Sequence, residues 1–348
     1  MMPHALAQKV ADGKDWPPKA IAGDAGLLLN SVEAGSVDLV VCSPPYNIGK
    51  IYERKHRLSF EEYLHWQEKI ADQLAVAIKD SGSLCWQVGN HVKDGVLTPL
   101  DIPFYRIFSE RGFVLRNRII WRFNFGHNTD RRFSGRYETV LWFTRGSDYK
   151  FNLDPVRIPQ IYPGKRHSKS KGASAGLPSG NPRGKNPSDY WEFSAERDFI
   201  ENPVWDIPNV KAGHPEKTEH PCQFPIELAE RCILAMTDPG DLVLDPFVGT
   251  GSTLIAAAKH KRRGVGFEKE ESFALLANQR IAAVCNGALP MRPSGMPVRR
   301  PKETEKVSRV PEEWQLLKLP EGKFYENTEG KVEKEKKALS GRDQTVSD

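Results

Sequence analysis

Ser43, Pro44, Pro45, Tyr46 and Asn47 stand directly after a short apolar run, DLVVC, at 38–42. The paired prolines restrict the backbone of Ser43 and Pro44 and carry no amide hydrogens, which leaves carbonyls and the Ser43 hydroxyl as fixed outward acceptors. Two acceptors suit an amino group with two hydrogens. With those hydrogens engaged, the nitrogen lone pair is less conjugated into a ring and better aimed at an electrophilic methyl. The Tyr46 ring offers a face on which a base taken out of a duplex can stack.

A second cluster, DPFVGTGST at 245–253, carries a different chemistry. Gly249 and Gly251 allow a tight turn and close approach of backbone to a ligand beside a helix N-terminus, and Glu268 ends the next apolar run, where a carboxylate can hold ribose hydroxyls. Leu254 stands where the dinucleotide fingerprint needs a further glycine, and the P-loop's G-K-[ST] is absent. NAD and ATP are therefore disfavoured. An adenosine-bearing ligand without a pyrophosphate remains, for which S-adenosylmethionine is the common choice.

Positioning these residues needs a sheet. The run 38–42 is β-branched and stops at the prolines, as a buried strand ending in a rigid turn. Residues 59–79 have helical periodicity, with Ser59 and Glu62 as a capping box. Further strands are expected at 83–88, 118–122, 139–144, 241–244 and 264–268, and further helices at 224–236, 253–259 and 271–285. Strand alternating with helix implies a doubly wound α/β sheet. Trp121, Phe123, Phe125, Trp142 and Phe143 alternate at strand spacing and are expected in the core. Cys42, on the buried strand and ahead of Ser43, is expected to pack rather than react.

The chain has 348 residues, 39% hydrophobic and 27% charged, enough for a sizeable core in one large domain or two modest ones. No run is apolar enough to cross a bilayer, and a cytoplasmic location is expected. The five cysteines form no C-x-x-C pair, so neither a disulfide framework nor a metal site is expected. A net charge of +5 is a mild lean toward polyanions. The segment 155–188 lacks Asp and Glu, is rich in Gly, Pro, Ser, Lys and Arg, and has no periodicity, as a long functional or solvated loop would. After 286 a Pro-rich linker, a short anchored piece at 314–324 and a charged, disordered tail are expected.

Together the motifs resemble the beta-arrangement amino-methylating DNA methyltransferases, in which [DNS]-P-P-[YF] precedes D-P-F-x-G-x-G-[ST]. SPPYN and DPFVGTGST occur in that order, and HPCQFP at 220–225 looks like the family's His/Lys-Pro element. The resemblance spans about 20–285. It implies a Rossmann-like methyltransferase fold of circularly ordered motifs: a catalytic half at 20–154, an inserted basic target-recognition region at 155–215 and a cofactor half at 216–285, with 286–348 outside. By position, Ser43, Pro44, Pro45 and Tyr46 would hold the target amine and base. Asp24, His220, Pro221, Gln223, Phe224, Pro225, Asp245, Pro246, Phe247, Gly249, Thr250, Gly251, Ser252, Thr253 and Glu268 would surround S-adenosylmethionine, although Asp24 reads equally well as a loop cap.

The implied partner is double-stranded DNA, with a cognate restriction endonuclease as a candidate companion and the oligomeric state open. Arg157, Lys165, Arg166, Lys169, Lys171, Arg183 and Lys185 would contact phosphates from the target-recognition region. Ser at the first catalytic position resembles the cytosine-N4 branch, with adenine N6 the alternative, since a neutral hydroxyl serves either amine. Two other classes compete: a nucleotide-dependent oxidoreductase, which leaves SPPYN unexplained, and a DNA-binding module without turnover.

Overall fold

In the computed structural model, residues 16–47, 58–93, 95–123, 129, 131–160, 162–167, 175–191, 210, 214–220 and 222–293 are described. They build an eight-stranded sheet of order β1-β10-β9-β2-β3-β7-β6-β8. The strands are β1 Lys19–Ala22, β2 Val37–Cys42, β3 Ile78–Val88, β6 Val114–Arg122, β7 Tyr137–Thr144, β8 Tyr190–Trp191, β9 Leu242–Asp245 and β10 Arg263–Glu268; β4 Asn90–Lys93 and β5 Val96–Pro99 form a separate hairpin. From β1 to β3 every pairing is parallel, whereas β7 runs antiparallel to both β3 and β6.

Helices cover both faces, as a parallel sheet requires. In β2, Val40 and Cys42 join one core cluster with Leu28 of α1 (Ala25–Leu28), Ile70 and Leu74 of α2 (Phe60–Ala77) and Phe104 and Phe108 of α3 (Asp101–Ser109). Leu39 and Val41 join the other, with Leu228 of α4 (Ile226–Met236), Ile255 of α5 (Ser252–Lys259) and Ala277 and Ile281 of α6 (Glu271–Cys285). This two-residue alternation is the strand period, and it buries β2 throughout. Burying Ile70 and Leu74 contributes on the order of 2 kcal/mol each. The capping box forms: Ser59 N donates to Glu62 Oε2 at 2.7 Å and Glu62 N to Ser59 Oγ at 3.2 Å.

Topology explains how two motifs some two hundred residues apart meet. From β2 the chain crosses through α2 to β3 on one side, and from β9 through α5 to β10 on the other, while β2 and β9 pair directly, Leu39 opposite Val243. The crevice above their carboxyl ends is the topological switch point, where open α/β sheets bind ligands. β1 lies beyond β10, so residues 19–24 sit beside the 216–285 portion of the chain. Within the segment 155–188, the described residues show a 3₁₀ turn at Asp154–Val156 and two isolated bridges, Ile158 to Lys185 and Arg166 to Pro178.

Trp121, Trp142, Phe143 and Cys42 are buried, as expected. Phe125, Lys169, Lys171, Pro221 and the stretch 314–324 lie outside the described residues.

Candidate active site

The carboxyl ends of β2, β9, β10 and β1 open on one cavity of about 740 Å³. Of the residues expected at the site, Ser43, Pro44, Pro45, Tyr46, Asp24, His220, Gln223, Phe224, Pro246, Phe247, Gly249, Thr250, Ser252 and Glu268 line it. Asp245, Gly251, Thr253 and Pro225 stand behind the wall instead.

On the β2 side, Ser43 Oγ lies 3.2 Å from Tyr46 Oη, and that hydroxyl donates weakly to the Gln87 carbonyl at 3.5 Å. Asn47 closes the turn at φ 55°, a left-handed conformation Asn tolerates, and its Nδ2 donates to the Leu58 carbonyl at 2.8 Å. Burial, then the nearby Glu138 charge, pushes the Tyr46 phenol well up, so the ring stays neutral. Gln87 Nε2 donates to Glu138 Oε2. A Cβ at Gly89 would stand 3.0 Å from Glu138 Oε1 and 3.3 Å from Tyr46 Cε2, so the carboxylate and the ring flank one glycine.

On the β9 side, Gly249 N donates to Glu268 Oε2 at 2.8 Å and Glu270 N to Glu268 Oε1 at 2.9 Å. Each oxygen retains acceptor capacity beyond these bonds and Glu268 lines the cavity, an arrangement suited to a vicinal diol. Burial pushes this carboxyl up, and the amides of Glu270 and Gly249 hold it back. Gly249 and Gly251 both take positive φ, 53° and 88°. A Cβ on Gly251 would also reach 3.0 Å from the Ala277 Cβ. Gly23 N donates to the Glu268 carbonyl at 2.8 Å, which brings Asp24 alongside; Asp24 Oδ1 accepts from Gly26 N at 2.9 Å, so it is a loop cap and a wall residue together.

Burial brings the His220 imidazole down to about 4, hence neutral at pH 7; its Nδ1 accepts from Cys222 N at 3.2 Å, and its ring meets Phe273 at 4.7 Å and 73°. Trp66 packs edge-on against Phe247, 5.4 Å between centroids. Neutral and aromatic walls beside the Glu268 carboxylate fit a ligand that joins ribose to a sulfonium, because ring faces attract a cation.

The residues behind the wall hold its shape. Thr253 Oγ1 donates to the Val41 carbonyl at 3.2 Å, tying α5 to β2, and Ser252 Oγ to the Phe224 carbonyl at 2.8 Å. Arg280 Nη1 donates to the Thr250 carbonyl at 2.5 Å. Glu216 Oε2 accepts from Ile226 N at 3.0 Å at the start of α4, and its Oε1 from Arg292 N at 3.3 Å. Glu227 pairs with Arg231 at 2.7 Å and Arg292 at 2.8 Å.

Asp245 is fully buried, with Oδ1 accepting from Phe247 N at 3.0 Å, and burial raises its carboxyl to about 7. Between 3.8 and about 7 the folded protein holds a proton that the unfolded chain has released, so this group's stabilisation is lost as pH rises through that window. Relative to the natural protein, Asp245→Asn should therefore gain melting temperature from pH 4 to 7 and then level off. A constant difference across thermal melts would contradict this.

Sequence reasoning missed Gln87, Glu138, Trp66 and Phe273, which line the cavity outside any motif, and favoured the core over base stacking for Trp121 and Phe123, which also form its wall. Within the basic region, several of the expected DNA-contact residues have partners inside the protein. Arg157 is turned inward, donating to Asp154 Oδ1 at 2.7 Å and to the Gly184 carbonyl at 2.9 Å, and Arg183 pairs with the same Asp154, which stands just outside the acid-free segment. Arg166 Nη1 donates to the Gly176 carbonyl at 2.6 Å. Lys165 is exposed, and Lys185 bridges to Ile158 through its backbone.

A parallel-sheet switch point holding a Gly-rich adenosine-type turn beside an S-P-P-Y turn defines a methyltransferase of the α/β class. The chain belongs to the N6/N4 DNA methylase family, whose model, described as DNA methylase, matches residues 37–279. It is 44% identical over 262 residues to the Type II methyltransferase M.BglII of Bacillus subtilis, covering 75% of this chain and 68% of that protein. It is 35% identical over 264 residues to the Type II methyltransferase M.ScaI of Streptomyces caespitosus, covering 75% and 80%. Among solved structures it resembles a DNA modification methylase of Thermus thermophilus, TTHA0409, complexed with S-adenosyl-L-methionine, at 26% identity and a TM-score of 0.50, covering 78% of this chain and 95% of that one.

Proposed function

We propose that this enzyme transfers a methyl group from S-adenosylmethionine to the exocyclic amine of a base flipped out of double-stranded DNA, with cytosine N4 as the target. The observation that carries this reading is the convergence of the Ser43–Tyr46 turn and the Gly249–Glu268 turn on one cavity. S-adenosylmethionine supplies the methyl on a positively charged sulfur. Glu268 holds ribose hydroxyls, and Asp24, Phe247 and His220 enclose the rest.

The Ser43 hydroxyl and the Pro44 carbonyl accept the two amine hydrogens, Tyr46 stacks on the base, and the nitrogen attacks in line. Positioning and exclusion of water supply most of the acceleration. Glu138, beside Tyr46, takes the proton the amine sheds once its nitrogen has bonded the methyl carbon. The neutral Ser43 at the first catalytic position supports cytosine, by its likeness to the N4 branch. The Type II relatives support a further reading, in which a restriction endonuclease of the same site is the partner.

The test is methyl transfer to unmethylated duplex DNA followed by mass spectrometry of the nucleosides. N4-methyl-2′-deoxycytidine is the expected product. N6-methyl-2′-deoxyadenosine would move the target to adenine, and a labelled RNA or protein with unlabelled DNA would overturn the substrate.

A further inference from the structure

Phe133 is 100% exposed, the most exposed large apolar side chain among the described residues; Tyr162 is next at 74%. Single exposed apolar residues are ordinary, but a ring wholly in water forgoes all the stabilisation that covering it would give. Its surroundings set it apart. Arg131 and Arg132 precede it and are exposed, and Arg136 comes three residues later. The turn is closed on itself: Thr129 N donates to Ser134 Oγ at 3.3 Å, and Thr129 Oγ1 to the Arg132 carbonyl. Phe133 therefore stands within a self-bonded, cationic turn.

That loop joins the two strands that wall the cavity. Trp121 and Phe123, on and just beyond β6, and Glu138, on β7, all line it, and Phe123 N donates to the Arg136 carbonyl at 2.9 Å. From Arg136 to Phe133 the chain reaches at most about 10 Å, so Phe133 lies within that span of a residue bonded to the cavity's wall. Here a polyanion would approach, drawn by the arginines, while an apolar wedge meets the base stack.

We infer that Phe133 is the wedge that enters the DNA duplex beside the target and fills the space its extruded base leaves, with Arg131, Arg132 and Arg136 neutralising the flanking phosphates. The inference rests on the base-flipping reading of the site. Wedging residues of this kind offset an unstacking cost of a few kcal/mol, and a ring stacked on bases recovers part of it. A base already mispaired needs less help to leave the stack.

The experiment compares the natural protein, Phe133→Ala and Phe133→Trp on two duplexes that differ only in whether the target base is paired or mispaired. A stacking-sensitive fluorescent base next to the target reports unstacking, in the absence of turnover, on the same DNAs. On the paired duplex, Phe133→Ala should lose at least about tenfold in transfer rate and most of the fluorescence rise, the equivalent of about 1.4 kcal/mol. On the mispaired duplex it should come within about threefold of the natural protein, on the same scale. Phe133→Trp should keep both signals.

Equal rates and equal fluorescence for Phe133→Ala and the natural protein on the paired duplex would overturn the wedge. So would an equal loss on both duplexes, which would make Phe133 a general DNA contact. If the natural protein itself methylates neither duplex, the base-methylation reading falls and the wedge falls with it.

Discussion

Replacing Ser43 with Ala is expected to lower methyl transfer to DNA by about 10²–10³, the usual cost of removing one aligned polar group from a reacting centre. Cofactor affinity should remain within about threefold, under 1 kcal/mol, because Asp24, Glu268 and the Gly249 turn lie at the ends of other strands. Tyr46→Ala should cost about 10–100-fold, since stacking of one base on an aromatic ring is worth about 1–3 kcal/mol. Tyr46→Phe should keep most of the activity, because the phenol makes only a 3.2 Å contact with Ser43 and a 3.5 Å bond to Gln87. Single-turnover transfer and calorimetric titration of cofactor separate the effects. Full activity in Ser43→Ala would remove the hydroxyl from the amine-binding role, and parallel loss of cofactor binding would recast the turn as a scaffold.

Gly266→Ala should be the most damaging single methyl in the sheet. A Cβ there would lie 2.2 Å from Val248 Cγ2 and 2.5 Å from the Asp245 carbonyl oxygen. The side chain can rotate away; the carbonyl cannot, because it belongs to the turn that leaves β9. Overpacking of this kind costs about 3 kcal/mol. Since the obstructing backbone carries Phe247 and Gly249, cofactor affinity should fall along with the melting temperature. A variant within about 1 kcal/mol of the natural protein, a small shift on the scale of single substitutions, would show that β9 and β10 can separate without loss.

The elements that place the motifs were legible because they are locally consistent. α6 keeps to the expected bounds, 271–285, and α2 begins at its capping box. β1 escaped notice because four residues carry too little pattern. Phe104, Ile107 and Phe108 of α3 have helical spacing, but Pro103 in its first turn reads as a breaker, although proline is tolerated at that end of a helix.

Within the site, the residues carried by motifs were readable, and those delivered by sheet neighbours were not. Glu138 reaches the cavity because β7 returns antiparallel beside β3, which sets Val88 opposite Thr139. No spacing along the chain encodes that. The signal available was a carboxylate at the head of an otherwise apolar strand, YETVLWFT. Arg157 and Arg183 both pair with Asp154, which stands one residue outside the acid-free stretch and so outside the pattern that marked it.

Arg292 sets a limit on how short this enzyme can be made. A cut after α6 at 285 looks harmless, since the chain beyond it is Pro-rich. Yet Arg292 shares Glu227 with Arg231 and gives its backbone amide to Glu216, and both carboxylates are about 3% exposed. Trimming it would take a guanidinium from one buried carboxylate and an amide from the other, losses that usually run to several kcal/mol. Glu216 also bonds Ile226 N, and Arg280 reaches from Glu216 to Thr250, so the damage would spread to the cofactor turn. A fragment meant to keep the cofactor turn in shape should therefore extend through residue 292.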